Sequence, residues 1–237
     1  MKSYKTLAII PARGGSKGIK RKNIRKLLGK PLISYTITAA KKAKTINKIV
    51  VSTDDAEIAK ISKNYGAEIP FLRPKIFSKD TSSTIDVVNH TLEFLKNNQS
   101  YIPDIIVILQ PTSPLRTSQI IDKSINSLKK SRATSVITVS KIIKHPFISY
   151  WIKNDYLKPF ETNSTKYSRR QDLPNLFYPS GSVYAFWNKT LEKSNSIYGN
   201  KIKPIIINDP DIDIDHPIDM FFAEMILKHW KNYKKLI

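Results

Sequence analysis

Short, almost wholly apolar runs alternate with amphipathic stretches along this chain, and that rhythm restricts the fold more than any other feature. Leu7-Ala8-Ile9-Ile10 has the continuous hydrophobicity of a strand buried on both faces, and Pro31–Ala43 has the spacing of a helix. The alternation continues with strand Lys48–Thr53, helix Asp55–Tyr65, a short strand near Glu68–Phe71, helix Thr84–Asn97, strand Asp104–Leu109, helix Gln119–Lys130 and strand Ser135–Val139. Strands joined through helices pair in parallel, so the expectation is an α/β fold on a mainly parallel central sheet. Ligands of such sheets lie beyond the carboxyl ends of the strands, where the loop around Arg13, Asp54, Gln110 and a late aspartate cluster all emerge.

The rhythm breaks between His145 and Tyr178, where Phe147, Tyr150, Trp151, Tyr156, Phe160, Tyr167, Phe177 and Tyr178 crowd into a segment expected to leave the sheet. So many large apolar groups either pack back on the domain or cover a partner, and contact between two copies is the favoured use. Strand Ser182–Trp187, strand Lys203–Asn208 and a closing helix from Pro217 complete the chain, a proline suiting the first helical position. The 237 residues therefore read as one domain with residues 145–178 inserted as an arm.

A hydrophobic content of 41% can fill a core, and no run approaches the roughly 18 apolar residues of a membrane helix. The absence of cysteine excludes disulfides, Cys-ligated zinc and thiol nucleophiles, and agrees with a cytoplasmic setting. A net charge of +21 raises the question of nucleic acid. Lysine is spread over the whole chain, however, with no RNP-like aromatic strand and no helix-turn-helix, so an anionic small molecule is the favoured partner and neither nucleic acid nor membrane is expected.

The cations do concentrate in one place. The first 53 residues carry 14 Lys and Arg and no acid, most of them in and around Pro11-Ala12-Arg13-Gly14-Gly15-Ser16-Lys17-Gly18-Ile19-Lys20-Arg21-Lys22-Asn23. Glycines there would let the backbone approach a ligand and adopt positive φ, with N–H groups at the following helix entrance attracting negative charge. Arg13 can fork onto two phosphate oxygens, with Lys17 and Lys22 as point charges. The spacing is neither a P-loop nor a dinucleotide fingerprint.

Five aspartates fall between Asp209 and Asp219. In an extended segment Asp211, Asp213 and Asp215 would face one side and Ile212 and Ile214 the core. Carboxylates gathered in this way call for a cation, and Mg²⁺ takes a few of them together with water and substrate phosphates. Capping of the closing helix by Asp215 is the competing role. Between the two ends, Asp80-Thr81-Ser82-Ser83-Thr84 reads as a helix cap, while Gln110-Pro111-Thr112-Ser113-Pro114-Leu115-Arg116 suits a polyhydroxylated acid. His145 and His216, each before a proline, read as loop residues.

Leu7–Asn23 resembles the N-terminal motif of the CMP-sialic acid synthetases, the N-acylneuraminate cytidylyltransferases. Arg73-Pro74, the Asp80–Thr84 run, Leu109–Arg116, Arg170-Gln171-Asp172-Leu173-Pro174 and Ile212-Asp213-Ile214-Asp215 look like the later motifs of that family in the right order. The resemblance implies a Rossmann-like nucleotidyltransferase fold, a homodimer with the aromatic excursion as its arm, and a Mg²⁺- (or Mn²⁺-) dependent reaction of CTP with an acidic nine-carbon sugar. It assigns Arg13, Gly14, Ser16, Lys17, Lys22, Asn23, Arg73, Ser82, Ser83 and Thr84 to CTP, and Gln110, Thr112, Ser113, Tyr184 and Arg170 to the sugar, Arg170 reaching it or the diphosphate from the neighbouring subunit. Asp213 and Asp215 become metal ligands, and Arg13, Lys17, Lys22 and Asp215 the groups at the reacting centre. Two positions depart from the family pattern: Ser180-Gly181 stands where Asn-Gly is frequent, and Phe147-Ile148 follows His145-Pro146 where sialate-specific members often carry a lysine shortly afterwards. Both fall near the sugar, which leaves legionaminate, pseudaminate or Kdo as alternative acceptors.

Overall fold

The structure, a computed structural model, describes residues 3–79, 81–161, 169–208, 210–233 and 235. Chain order is β1 (Thr6–Pro11), the two-residue strands β2 (Lys26–Leu27) and β3 (Lys30–Pro31), α1 (Leu32–Lys42), β4 (Lys48–Ser52), α2 (Ala56–Asn64), α3 (Thr84–Gln99), β5 (Ile105–Ile108), α4 (Ser118–Lys130) and β6 (Ser135–Lys141). There follow β7 (Tyr150–Lys153), β8 (Tyr156–Pro159), β9 (Phe177–Trp187), α5 (Asn188–Ser194), β10 (Ile202–Ile206), α6 (Pro217–Lys228) and α7 (Trp230–Tyr233).

Six strands form the central sheet in the order β10-β6-β9-β5-β1-β4. All run in one direction except β9, which is antiparallel to both neighbours. The exception has a simple cause. β6 ends at the carboxyl rim, the chain makes its excursion without a crossover helix, and β9 must enter from that same rim. α1, α2 and α4 cover one face around Ile33, Ile37, Ile58, Ile121 and Leu128, and α3 and α5 cover the other around Val88, Leu95 and Leu191. Burial on both faces explains the unbroken apolar runs of β1 and β5.

A third, smaller cluster positions the site. Ile19, Leu27 and Leu32 from the N-terminal region pack with Ile214 and Ala223 from the end of the chain, so hydrophobic contact as well as charge holds the basic loop near the aspartates.

Three expectations change. The strand near Glu68–Phe71 reduces to a bridge between Glu68 and Val50, because Pro70 has no N–H to continue a ladder. β9 begins at Phe177 instead of Ser182, so Phe177 and Tyr178 belong to the sheet. The Asp211–Asp215 segment is irregular, not a strand. The excursion itself contains the hairpin β7–β8, turned by Asn154 and Asp155 with φ of 51° and 61°, the left-handed pair that a tight hairpin needs. Tyr150, Trp151, Ile152, Tyr156 and Leu157 of the hairpin are exposed. His145 is 5% exposed and pins the base, its Nε2 3.1 Å from the Pro174 carbonyl oxygen and its Nδ1 accepting from the Phe147 N–H. Tyr167 lies outside the described residues.

Candidate active site

A cleft of about 650 Å³ opens at the carboxyl rim, lined by Arg13, Ser16, Lys17, Lys22, Asn23, Arg73, Ser82, Ser83, Thr84, Gln110, Thr112, Asp213 and Asp215 among others. The basic loop reaches it directly from β1. Its glycines work otherwise than expected: none of Gly14, Gly15 and Gly18 has positive φ. Gly14 donates its N–H to Asp54 Oδ1 at 2.9 Å, and a side chain there would meet Asp55 Oδ2 at 2.9 Å. Gly18 lies against the Asp215 carbonyl oxygen, so any Cβ would push the two ends of the chain apart. The left-handed residue is Arg21, with φ of 54° and a guanidinium 2.8 Å from Glu57 Oε2 and 3.3 Å from Asp55 Oδ2. A 3₁₀ turn, Lys22–Ile24, stands where a helix entrance was expected.

Lys22 Nζ joins the two regions, donating to Asp215 Oδ1 at 2.8 Å and to the Ile214 carbonyl at 2.7 Å. Asn23 Nδ2 donates to the Arg13 carbonyl at 2.9 Å and so sets the start of the loop. Arg73 is only 5% exposed and sits 3.8 Å from Asp54 Oδ1, which makes Asp54 a hinge between the Gly14 amide and this arginine. Burial lowers the Arg73 pKa, with Asp54 opposing and Arg13 adding to the fall. The hydroxyls of the 82–84 run are partly spoken for: Ser83 caps α3 by accepting from the Asp86 N–H, and Ser82 Oγ donates to the Ile76 carbonyl. Asp80 lies outside the described residues.

Across the cleft, the aspartates divide. Asp213 and Asp215 face the cleft, whereas Asp211 lines a second hollow of about 310 Å³ and lies beside Ser140 and Tyr178. The three-in-register expectation fails because, among the described residues, the segment pairs with no strand; its backbone is tied by the Ile214 N–H to the Thr112 carbonyl at 2.9 Å, Ile214 is buried, and the flanking carboxylates find separate surroundings. The Asp213 carboxyl opens on the cleft yet is walled by protein on its other sides. That partial desolvation raises its pKa, the Thr112 hydroxyl and Lys22 oppose the rise, and Asp215 and Asp219 add to it. The cap of α6 comes from Asp219, whose Oδ2 accepts from the Asp215 and His216 N–H groups at 3.0 and 2.7 Å, so Asp215 is not the capping residue.

Gly181, with φ of 71°, is a crowded point. At the place its Cβ would occupy, Gln110 Oε1 stands at 2.9 Å and Asp213 Oδ2 and Ser113 Oγ at 3.5 Å. Tyr184 extends this group: burial raises its pKa, Tyr198 and Asp213 add to the rise, and a hydrogen bond with the Gly181 backbone opposes it. Ser113 is 3% exposed with an unpartnered Oγ, and it lines the second hollow instead of the main cleft. Arg116 departs furthest from expectation. It is 7% exposed, with its guanidinium donating to the Ser182 and Gln110 carbonyls and to Thr36 Oγ1, and burial brings its pKa down to about 9, with Asp213 opposing. It is occupied by the protein and unavailable to a substrate.

Residues 7–216 match the family model described as Cytidylyltransferase. The chain belongs to the cytidylyltransferase family. It is 36% identical to CMP-N,N'-diacetyllegionaminic acid synthase of Legionella pneumophila over 94% of this chain and 96% of that protein. Pseudaminic acid cytidylyltransferase of Campylobacter jejuni is 33% identical over 94% of this chain and 97% of its own length. N-acylneuraminate cytidylyltransferase of Escherichia coli is 30% identical over 98% of this chain and 54% of its own. Among solved structures, CMP:2-keto-3-deoxy-manno-octonic acid synthetase complexed with CTP superposes with a TM-score of 0.70 at 15% identity, covering 95% of this chain and 99% of that one. 4-Diphosphocytidyl-2C-methyl-D-erythritol synthase of Anaerococcus prevotii gives 0.65 at 18%, covering 96% and 100%. The Rossmann-like nucleotidyltransferase fold expected from the resemblance is the fold of this cytidylyltransferase.

Of the residues expected at the site, the cytidylyltransferase brings the basic loop, Arg73, Ser82–Thr84, Gln110, Thr112, Asp213 and Asp215 to one cleft. Gly14 stands behind the wall and Ser113 and Tyr184 beside it, while the Arg170 side chain lies outside the described residues. Ser180-Gly181 stands out in the sequence as a departure near the sugar, but its positive φ and its crowding by Gln110, Asp213 and Ser113 do not, nor do the cap from Asp219 and the burial of Arg116. Only Asp219 had a usable signal, its third-residue spacing behind the His216-Pro217 start.

Proposed function

We propose that this cytidylyltransferase joins CTP to an acidic nonulosonic sugar, releasing diphosphate as the anomeric hydroxyl attacks the α-phosphorus in line. The observation that carries the reading is the Lys22–Asp215 contact of 2.8 Å, which places the two oppositely charged ends of the chain within the span of one triphosphate. Arg13, Lys17 and Lys22, which would meet the phosphates, line the same cleft as Gln110 and Thr112. Transfer of this kind asks the protein mainly for positioning and for charge where negative charge accumulates.

Legionaminate- and pseudaminate-type acids are proposed ahead of N-acylneuraminate as acceptor. Support comes from the relatives of matching length that carry those names, and from the departures at Ser180 and after His145-Pro146. The experiment is diphosphate release with CTP against a panel of nonulosonic acids and Kdo. Turnover of a nonulosonic acid is expected, and turnover of Kdo alone, or preference for another nucleotide, overturns the reading.

Asp213 and Asp215 are the residues proposed to hold Mg²⁺ (or Mn²⁺). They suit it: two carboxylates separated by one residue face the cleft, and a cation would offset both the desolvation that chiefly raises the Asp213 pKa and the smaller repulsion from Asp215. Among the described residues no group of three or more acids or histidines gathers for a metal, so water and substrate oxygens must complete the shell. When bound, the ion supplies charge neutralisation at the transferring phosphate. Chelation with EDTA should abolish turnover, and full activity in EDTA removes the ion from the reading.

A homodimer is proposed as well, supported by the exposed apolar face of the β7–β8 hairpin and by a second on α6 made of Ile218, Phe221, Phe222 and Met225. Asp for Ile152 and Leu157 together should yield a folded monomer by sedimentation, whereas an unchanged particle mass defeats the hairpin's part in assembly.

A further inference from the structure

The register of β5 and β9 shows where the sheet is opened to make the acceptor side of the cleft. Their last pair is Ile108 with Tyr184, and two residues further in the same register Gln110 would face Ser182. The ladder does not continue there. On the other side of β9, pairing with β6 shifts between Ile137 and Val139, so residues 180–183 lose strand partners on both flanks. Backbone groups left this way inside a protein need substitutes.

Side chains provide them. Arg116 Nε donates to the Ser182 carbonyl, another guanidinium nitrogen to the Gln110 carbonyl, and a third to Thr36 Oγ1 at 2.8 Å. Thr138 Oγ1 accepts from the Val183 N–H at 2.8 Å and from Ser180 Oγ at 2.7 Å. Between these supports the chain turns through Gly181 at φ 71°, onto the point where Gln110 Oε1, Ser113 Oγ and Asp213 Oδ2 converge.

We propose that Arg116 is a positioning residue for the acceptor substrate: its planar fork, wedged between the parted ends of β5 and β9, fixes Gln110 and Gly181 relative to Asp213. This rests on the acceptor reading above. Three divergent acceptors are met by one rigid group, which a lysine with its single point charge cannot reproduce. Its hydrogen-bond partners among the described residues are the Ser182 and Gln110 carbonyls and Thr36 Oγ1, none of them in the basic loop, so its loss acts on the acceptor and spares CTP.

Arg116→Lys keeps the charge and removes the fork. The expected result is a fall of about 100-fold in kcat/KM for the acceptor sugar, with the CTP dissociation constant within about threefold of wild type. Thr36→Val, which deletes one acceptor of the fork and is nearly isosteric, should give the same split at about tenfold. Amide exchange should quicken at residues 109–113 and 180–184 of the Arg116→Lys protein and stay unchanged at 13–23. Should wild-type protein turn over no acidic sugar, the acceptor reading fails, and exchange alone then judges the positioning role. Unchanged acceptor kinetics in both variants, CTP affinity falling in step with the acceptor's, or exchange quickening equally in the basic loop overturns the proposal.

Discussion

On the side of the cleft proposed for the nucleotide, charged side chains ride on a loop held by ion pairs and small-residue contacts: Arg21 to Asp55 and Glu57, Gly14 against Asp55, Lys22 to Asp215. On the side proposed for the acceptor, the neutral groups Gln110 and Thr112 line the cleft, and the charge behind them, Arg116, is inside the protein. The contrast teaches that a site for a multiply charged ligand can present its cations at the wall, because the ligand itself will neutralise them. A site for a less charged, hydroxyl-rich ligand depends on fixed dipoles, and these need rigid backing.

The largest effect should come where the two sides share residues. Asp213→Asn with Asp215→Asn is expected to lower Mg²⁺-dependent turnover by about 10³ or more while the protein stays folded. Diphosphate release with matched circular dichroism checks this, and a fully active double variant dissolves the shared boundary. Lys22→Ala should act mainly on kcat, by about 10²–10³, as expected for one preorganised donor at a centre of developing charge. A change confined to the KM for CTP would place Lys22 in ground-state binding only.

Gly181→Ala tests the acceptor side by itself. Positive φ and the 2.9 Å approach of Gln110 Oε1 should cost about 1–3 kcal/mol of stability, read by denaturant unfolding, with the acceptor KM raised and the CTP affinity kept. Asp219→Ala removes the cap behind Asp215 and should cost about 1 kcal/mol with a modest loss of activity. The smallest effect belongs to Arg21→Gly, where relief of the left-handed backbone offsets the loss of an exposed ion pair worth about 0–1 kcal/mol. A large loss of stability in that variant breaks the picture of the basic loop as a lightly held, charge-presenting element.

Legibility followed the same division. Arg13, Lys17, Lys22, Asp213 and Asp215 meet at one cleft as the sequence suggests, because glycine-flanked cations and alternating acids are local patterns, and their strands and helices have local periods; Asp211 does not join them. The element boundaries of β1, α1, α2 and α4 agree with the reading to within a residue or two. β9 was misread at its start, since Phe177 and Tyr178 look like the aromatics of the excursion and join the sheet only by pairing with Ser140 and Lys141. Arg116 was misread because a loop arginine after prolines and hydroxyls has the same appearance whether it points to solvent or to the interior.

The sequence by itself determined the α/β rhythm, the sign and place of the charges at each end, and the kind of ligand they suit, because hydrophobic period and charge are properties of neighbouring residues. Tertiary structure alone decided that Ile19 and Ile214 meet, that Asp211 turns away from Asp213 and Asp215, and that β5 and β9 part around a buried guanidinium. Each of those depends on contacts between residues far apart in the chain, where packing and the need to satisfy buried backbone groups select the arrangement.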